Sequence, residues 1–321
     1  MRIGTFVRVA AGLLGIPVVV VAGSCTTPAA YPERGLTLIV AYGAGGGTDA
    51  SARLLANDLG RTIGQFVTVQ NIAGGGGWNG WSAIAHATPD GYTIGYLNVP
   101  SMFAGYLNPD IGRPESLDSF TLLMNHVTDY CVWAVRTDSP FKSMADVIAA
   151  AKSNPGGVSI AAHGYGGDDH LAILSMQEAT GVEFRVIHNR STADSKAQIL
   201  GGHVDVVGAN VSEVVAEYKA GEMRVLGVMS PTRSEFLPDV PTFEEQDYDQ
   251  EWAVSRGIAA PKGLPHAWVD ALMQFLEAAI ASEGHKREAA RLSLALEVKK
   301  GKAYEDFLKT QEQHIKRLMG W

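Results

Sequence analysis

Leu36-Thr37-Leu38-Ile39-Val40-Ala41-Tyr42-Gly43-Ala44-Gly45-Gly46-Gly47-Thr48-Asp49 is the stretch that decides the fold. An apolar run of strand character, Leu36–Ala41, leads into the glycines. They lead into a helix-like stretch, Ala50 to Ile63, in which Leu55, Leu59 and Ile63 recur at i, i+4 spacing. A strand, a glycine-rich turn and a helix form a backbone cradle for an anion. Without Cβ atoms the amides approach a ligand closely, and the positive end of the helix dipole adds to them. Thr48 stands where a dinucleotide fingerprint needs its third glycine, and no Lys-Ser/Thr follows as in a Walker loop. Tyr42, Ala44, Gly45, Gly46, Thr48 and Asp49 are the candidate contacts here. Asp49, in the first helical turn, either stabilises the dipole or meets a ligand hydroxyl or ammonium.

The same alternation continues along the chain. Further strands are expected at Phe66–Asn71, Thr93–Asn98, Cys131–Thr137, Val158–Ala162, Phe184–His188, Val204–Asn210, Val225–Ser230 and Val254–Ala259. Met144, Val147, Ile148 and Ala151 mark one amphipathic helix, and Leu171, Leu174 and Met176 sit near another. Ala267–Ala281 and Ala303–Trp321 read as helices of mixed charge. The class is α/β with mainly parallel sheets, in which ligands sit at the carboxyl ends of strands. Tyr130 to Asp138 and Glu251 to Ala260 carry strand character with little turn signal and read as crossovers. They divide the chain into one lobe of residues 31–133 plus 254–321 and another of residues 134–253.

Gly164-Tyr165-Gly166-Gly167-Asp168-Asp169-His170 repeats the cradle grammar in the second lobe. Tyr165, Gly166, Asp168 and His170 are its candidates. Asp168 also suits an N-cap, and His170 also suits capping or packing. His163 and His170 have poor metal spacing. Arg190, after the strand ending at His188, is either a partner for a carboxylate or a solvated loop residue. Asn98, Ser101 and Asn210 lie at strand ends that face a cleft. Trp78 and Trp81, after the glycine run Gly74 to Gly77, are either pocket walls or core. No Gly-x-Ser-x-Gly, His-Glu-x-x-His or Cys-x-x-Cys occurs, and Cys131 in an apolar strand suits an inert thiol.

The net charge is −8 and no basic stripe occurs, which argues against a nucleic-acid partner. Residues 1–24 read as a secretory signal peptide, with Arg2 and Arg8 before an apolar run, Val9 to Ala22. Ala22-Gly23-Ser24-Cys25 resembles a lipobox, which would lipidate Cys25 as the first mature residue. Ordinary cleavage near Ala29-Ala30 is the alternative. Cys25 and Cys131 are the two cysteines, so an exported chain of this size must be held by its core rather than by a disulfide framework.

The ordered motifs resemble the extracytoplasmic solute-binding proteins of tripartite tricarboxylate transporters, the Bug family. They are Tyr31-Pro32-Glu33-Arg34, Gly45-Gly46-Gly47-Thr48-Asp49, Gly64-Gln65, Asn71 with its glycine run, and Pro89-Asp90-Gly91-Tyr92-Thr93. Gly164 to Ala172, Leu200-Gly201-Gly202-His203-Val204-Asp205, Leu237-Pro238-Asp239-Val240-Pro241-Thr242 and Ala260-Pro261-Lys262-Gly263-Leu264-Pro265 complete the series. The resemblance implies a two-lobed periplasmic-binding-protein fold of type II with crossover strands as hinge. It implies that the loops carrying Gly45 to Asp49 and Gly164 to His170 hold one carboxylate, partly through water. It also implies a periplasmic or cell-surface location, a small di- or tricarboxylate ligand, permease subunits as partners, a monomer, and neither catalysis nor a cofactor or metal. The family usually has small residues where Trp78 and Trp81 stand, and often Pro-Tyr-Lys-Gly at His188–Ser191. A sensor subunit presenting its ligand to a membrane receptor, or an exported enzyme using Asp49 or His170, are the alternatives.

Overall fold

The computed structural model describes residues 31–321, so the expectations for the signal peptide and Cys25 fall outside the described residues. The first part of the chain forms β1 (Leu36–Val40), α1 (Gly47–Ile63), β2 (Val67–Asn71), α2 (Trp78–Ala85), β3 (Thr93–Val99) and α3 (Ser101–Leu107). β1 lies between β2 and β3 and is parallel to both. α1 buries Ala52, Leu55, Ala56 and Leu59 on one face, while Ile63 stays partly exposed. It stops at Gly64, whose φ of 69° lets its N–H reach Gly60 O.

β4 (Phe120–Arg136) then crosses the molecule. After it come α4 (Met144–Ser153), β5 (Ser159–His163), α5 (Asp168–Thr180), β6 (Arg185–Asn189), α6 (Thr192–Leu200), β7 (Val206–Asn210), α7 (Val211–Lys219) and β8 (Met223–Val228). β9 (Ala253–Pro261) returns to the first half, and α8 (His266–Ala281), α9 (Glu283–Arg291) and α10 (Gly301–Met319) close the chain. The strand order is β2-β1-β3-β9-β4-β7-β5-β6, with β8 also on β4. Phe120 to Tyr130 of β4 pair with β9, whereas Cys131 to Arg136 pair with β7 and β8. One strand thus belongs to both lobes and changes partners at Tyr130–Cys131. The second crossing is pinned there too, because Cys131 N donates to Trp252 O at 2.8 Å.

The expectation of mainly parallel pairing holds only away from the middle. β5 is parallel to β6 and β7, but β3–β9, β4–β9, β4–β7 and β4–β8 are antiparallel. Crossover strands that leave a lobe and return to it must run in opposite directions, which forces this pattern. β4 is also far longer than Cys131–Thr137. Asn125, His126, Thr128 and Asp129 interrupt its apolar pattern, yet all four are buried and find partners. Asn125, for instance, donates to Thr128 Oγ1 at 2.9 Å and accepts from Ser255 Oγ at 2.6 Å.

Each lobe has its own core. Ile39, Trp78, Trp81, Ile84, Leu97 and Met102 pack in the first, and Val132, Val207, Val214, Val225 and Leu237 in the second. A further cluster joins Met144, Val147 and Ala151 of α4 and Leu171 and Met176 of α5 to Phe103 of α3 and Tyr304, Leu308 and Ile315 of α10. α10 therefore braces both lobes on one side. Among the described residues, no helix is long and apolar enough to cross a membrane.

Candidate ligand-binding site

Each β-strand of a β–loop–α unit delivers the start of its helix to the same end of the sheet, and here several helix starts meet between the lobes. A cavity of about 450 Å³ is lined by Tyr42 to Asp49, Asn98, Ser101, His163, Asp168, Arg190 to Ala193, Lys196, Asn210, Glu213, Val254 and Arg256. These residues include first-turn or capping positions of α1, α5, α6 and α7. The helices point their positive ends at one space, which favours a negatively charged occupant. A hollow of about 610 Å³ between α1 and β2, lined by Arg53, Arg61 and Phe66, is more open and lies away from these helix starts.

The first cradle is built as a cavity wall. α1 begins at N-cap Gly46 with no side-chain cap, so its first amides face the cavity instead of a neighbouring side chain. Gly45 differs from expectation. Its φ is 88° and its N–H donates to Asp49 Oδ2 at 2.8 Å, so this amide is already committed inside the loop. Asp49 also accepts from Arg53 Nε at 2.9 Å and from Asn71 Nδ2 at 3.0 Å, which makes it the buried post around which the loop is wrapped. Burial alone would raise its carboxyl pKa, but the bonds from Arg53, Gly45 and Asn71 hold it below the ordinary value. Ala44 and Tyr42 line the cavity, and burial drives the Tyr42 phenol well above its usual range despite its bond to Ser101. Thr48 Oγ1 accepts from Asn98 Nδ2 at 2.8 Å, tying α1 to β3.

The second cradle is not a cradle. Of Gly164 to His170, Asp168 is the residue that lines the cavity. Gly166, at φ 73°, folds back against Ala104 of α3, and its N–H donates to His170 Nδ1 at 3.0 Å. That bond requires a neutral imidazole, and burial followed by His188 pushes the His170 pKa down to about 4. Tyr165 is 56% exposed and stacks with His170 and His188 at 4.8 and 5.7 Å between ring centroids, outside the cavity. Asp168 accepts from Asn210 Nδ2 at 2.7 Å and from Cys131 Sγ at 3.4 Å. Burial and then the neighbouring Asp168 push the pKa of both Asp169 and the Cys131 thiol well up, which keeps the thiol protonated as the donor to Asp168.

Arg190 is exposed at the cavity edge. Trp78 and Trp81 are not on the cavity. They are 4% and 1% exposed, with their indole N–H groups donating to Glu115 Oε2 at 2.6 Å and Tyr96 O at 3.2 Å. Trp81 instead backs Tyr42, edge to face at 6.1 Å.

Arg256 escaped the sequence reading. It sits in β9 at the cavity floor, 2% exposed, with Nη2 on Asp129 Oδ2 at 2.8 Å. A lone charge inside the apolar run Val254–Ala259 was its signal. Asp129 carries the contact across the crossing, since it also accepts from the backbone N–H and Oγ of Ser212 in α7. Glu213, whose carboxyl is pushed up by burial and by Asp129, and Lys196, paired with Glu217 at 2.6 Å, were missed as well.

Fold and site together define a two-lobed solute-binding protein with its cavity at the helix starts between the lobes. Residues 51–319 match the model of the tripartite tricarboxylate transporter family receptors, TctC, and the chain belongs to that family. It is 32% identical to the protein BugT of Bordetella pertussis over 256 residues, covering 79% of this chain and 78% of that one. The solved periplasmic binding protein BugD superposes with a TM-score of 0.78 at 29% identity, covering 90% of this chain and 98% of that one. A TctC solute-binding protein from Polaromonas gives 0.74 at 27% identity, covering 90% and 99%. The family and these neighbours are solute-binding receptors rather than enzymes.

Proposed function

We propose that this chain captures a small organic carboxylate, of the di- or tricarboxylate class, outside the cytoplasmic membrane and hands it to the permease subunits of a tripartite transporter. The observation that carries this is the convergence of α1, α5, α6 and α7 on one cavity of about 450 Å³ between the lobes. Helix starts supply positive potential without a titrating group, so they bind a carboxylate over a wide pH range. Tyr42, Ala44, Gly46, Thr48, Asn98, Ser101, Asp168, Arg190 and Asn210 serve as the contact set, with Arg256 added. Gly45, Asp49, Gly166 and His170 shape the loops behind them. Residues 31–133 plus 254–321 act as one lobe and residues 134–253 as the other, a monomer hinged where β4 and β9 cross. Export is through the segment 1–24, with lipidation at Cys25 or cleavage after it.

Mass spectrometry of small molecules released from purified protein tests this reading. A di- or tricarboxylate that rebinds in calorimetry is the expected result. Recovery of a sugar or a metal chelate, with carboxylates inert, would overturn it.

A further inference from the structure

The floor of the cavity holds polar atoms that are left without partners among the described residues. Asn98 of β3 and Arg256 of β9 are register partners across an antiparallel pair, so their side chains leave the same face of the sheet side by side. Both line the cavity, and they are 3% and 2% exposed. Asn98 spends Nδ2 on Thr48, and Oδ1 has no partner. Arg256 spends Nη2 on Asp129, and Nε and Nη1 have none. The guanidinium lies against the first residue of α1, since a Cβ on Gly47 would stand 2.6 Å from Nη2 and 3.2 Å from Nη1. Two buried donors and one buried acceptor are thus set together under a helix start. Such groups do not stay unpaired in a dry site without cost, and a ligand that pairs all of them gains accordingly.

We infer that the ligand, within the carboxylate class proposed above, carries a hydroxyl or ammonium next to a carboxylate, with a carboxylate oxygen on Arg256 Nη1 and the donor on Asn98 Oδ1. A plain carboxylate satisfies Arg256 but leaves Asn98 Oδ1 buried and unpaired. Asp168, on the opposite wall, has Asn210 and Cys131 as its donors and no cation, which suits a donor-bearing ligand over a bare polyanion. Asp129 is a positioning residue that holds the guanidinium fork toward the cavity. Its second set of bonds, to Ser212, links that fork to the other lobe.

Calorimetry on the purified full chain decides this, using matched acids of three to six carbons: the unsubstituted mono- or dicarboxylate, its 2-hydroxy form and its 2-amino form. The expected result is that at least one substituted acid binds about tenfold or more tighter than its unsubstituted counterpart. Tighter hydroxy acids make the donor neutral, and tighter amino acids place an ammonium between Asn98 and Asp168. Equal affinities within each matched set overturn the inference while leaving carboxylate capture standing. Silence from every acid overturns both. On the best substituted acid, Asn98→Ala should lose about tenfold or more, and clearly more than it loses on the matched unsubstituted acid; equal losses on both would overturn the contact between Asn98 Oδ1 and the substituent. Arg256→Lys keeps a charge for Asp129 but loses Nη1. It should keep the melting temperature and lose about tenfold or more on every carboxylate, and unchanged affinity would remove Arg256 from the site.

Discussion

Gly47 lacks a side chain because the Arg256 guanidinium fills the place of one. A methyl group there would stand 2.6 Å from Nη2, too close for any side chain, and the guanidinium is itself held by Asp129. Gly46, one residue earlier, has open space around it and a φ of −84° that any residue adopts. The two neighbours should therefore answer alanine differently. Gly47→Ala should lower stability by about 1–3 kcal/mol, the usual cost of overpacking, and weaken carboxylate binding as Arg256 shifts. Gly46→Ala should stay within about 1 kcal/mol of wild type, as expected for an N-cap exchange. Urea titration with calorimetry on both variants checks this, and equal losses would mean that Arg256 moves freely. The sequence announced that this loop was special, because the glycines follow an apolar strand. It could not say which glycine mattered. That depends on a side chain more than 200 residues away, and no local pattern encodes such a contact.

At the scale of elements, strands with apolar alternation were legible and the polar one was not. Val254–Ala259 was found because its apolar residues outweigh Arg256, whereas Phe120–Tyr130 was lost because Asn125, His126, Thr128 and Asp129 mimic a loop until their cross-strand partners are known. His126 belongs to a buried chain that joins four elements. Tyr96 Oη meets His126 Nδ1 at 2.6 Å, His126 Nε2 meets His285 Nε2 at 2.9 Å, and His285 Nδ1 meets Asp58 Oδ2 at 2.9 Å. One proton fits between the two Nε2 atoms; with both rings neutral, the state that their lowered pKa values favour, the Asp58 carboxylate takes the His285 Nδ1 proton and His126 Nε2 donates to His285. Burial lowers the pKa of His126, helped by His285, and burial lowers that of His285. His170 is pushed the same way, to about 4. For each of these groups the unfolded chain takes up a proton near pH 6.5 that the folded chain refuses. Stability is thus full above pH 6.5 and falls as pH drops toward 4, by on the order of 3 kcal/mol for His170 alone. Chemical denaturation at stepped pH should show this slope, and His170→Asn should reduce it. A slope left unchanged by His170→Asn would mean that this ring does not contribute to it, since Asp169 and Glu213, with raised carboxyl pKa values, favour the fold at low pH and offset the histidines in the total profile. α10 offers a separate test, because its Tyr304 hydroxyl fills the space above Gly257 of β9. Gly257→Ala should expel that ring and destabilise the fold by about 2–5 kcal/mol, the scale of losing a large buried side chain. A variant as stable as wild type would show that α10 is not seated there.

For the molecule as a whole, the two crossings and the brace decide how it moves. β4 changes partners at Tyr130–Cys131, Trp252 is bonded to the same point, and α10 ties both lobes on one side through Tyr106–Glu312 at 2.6 Å and Trp252 against His314. The side left unbraced is the cavity side, so bending about the crossings would open and close the wall formed by α1 against those formed by α5, α6 and α7. A small carboxylate bound as proposed would touch residues of both lobes only with that wall shut. The closed form then gains contacts that the open form lacks, which is the condition for a ligand to shift the population. Saturating ligand should contract the radius of gyration in solution scattering. The melting temperature should rise with the logarithm of ligand concentration above Kd, because ligand binds the folded chain alone. Asp129→Asn keeps the cavity but weakens the link between Arg256 and Ser212, so it should reduce the contraction more than it reduces occupancy. Should the scattering curves of empty and saturated protein superimpose while the melting temperature still climbs, binding would survive and closure would not. A permease would then have no shape by which to tell loaded protein from empty.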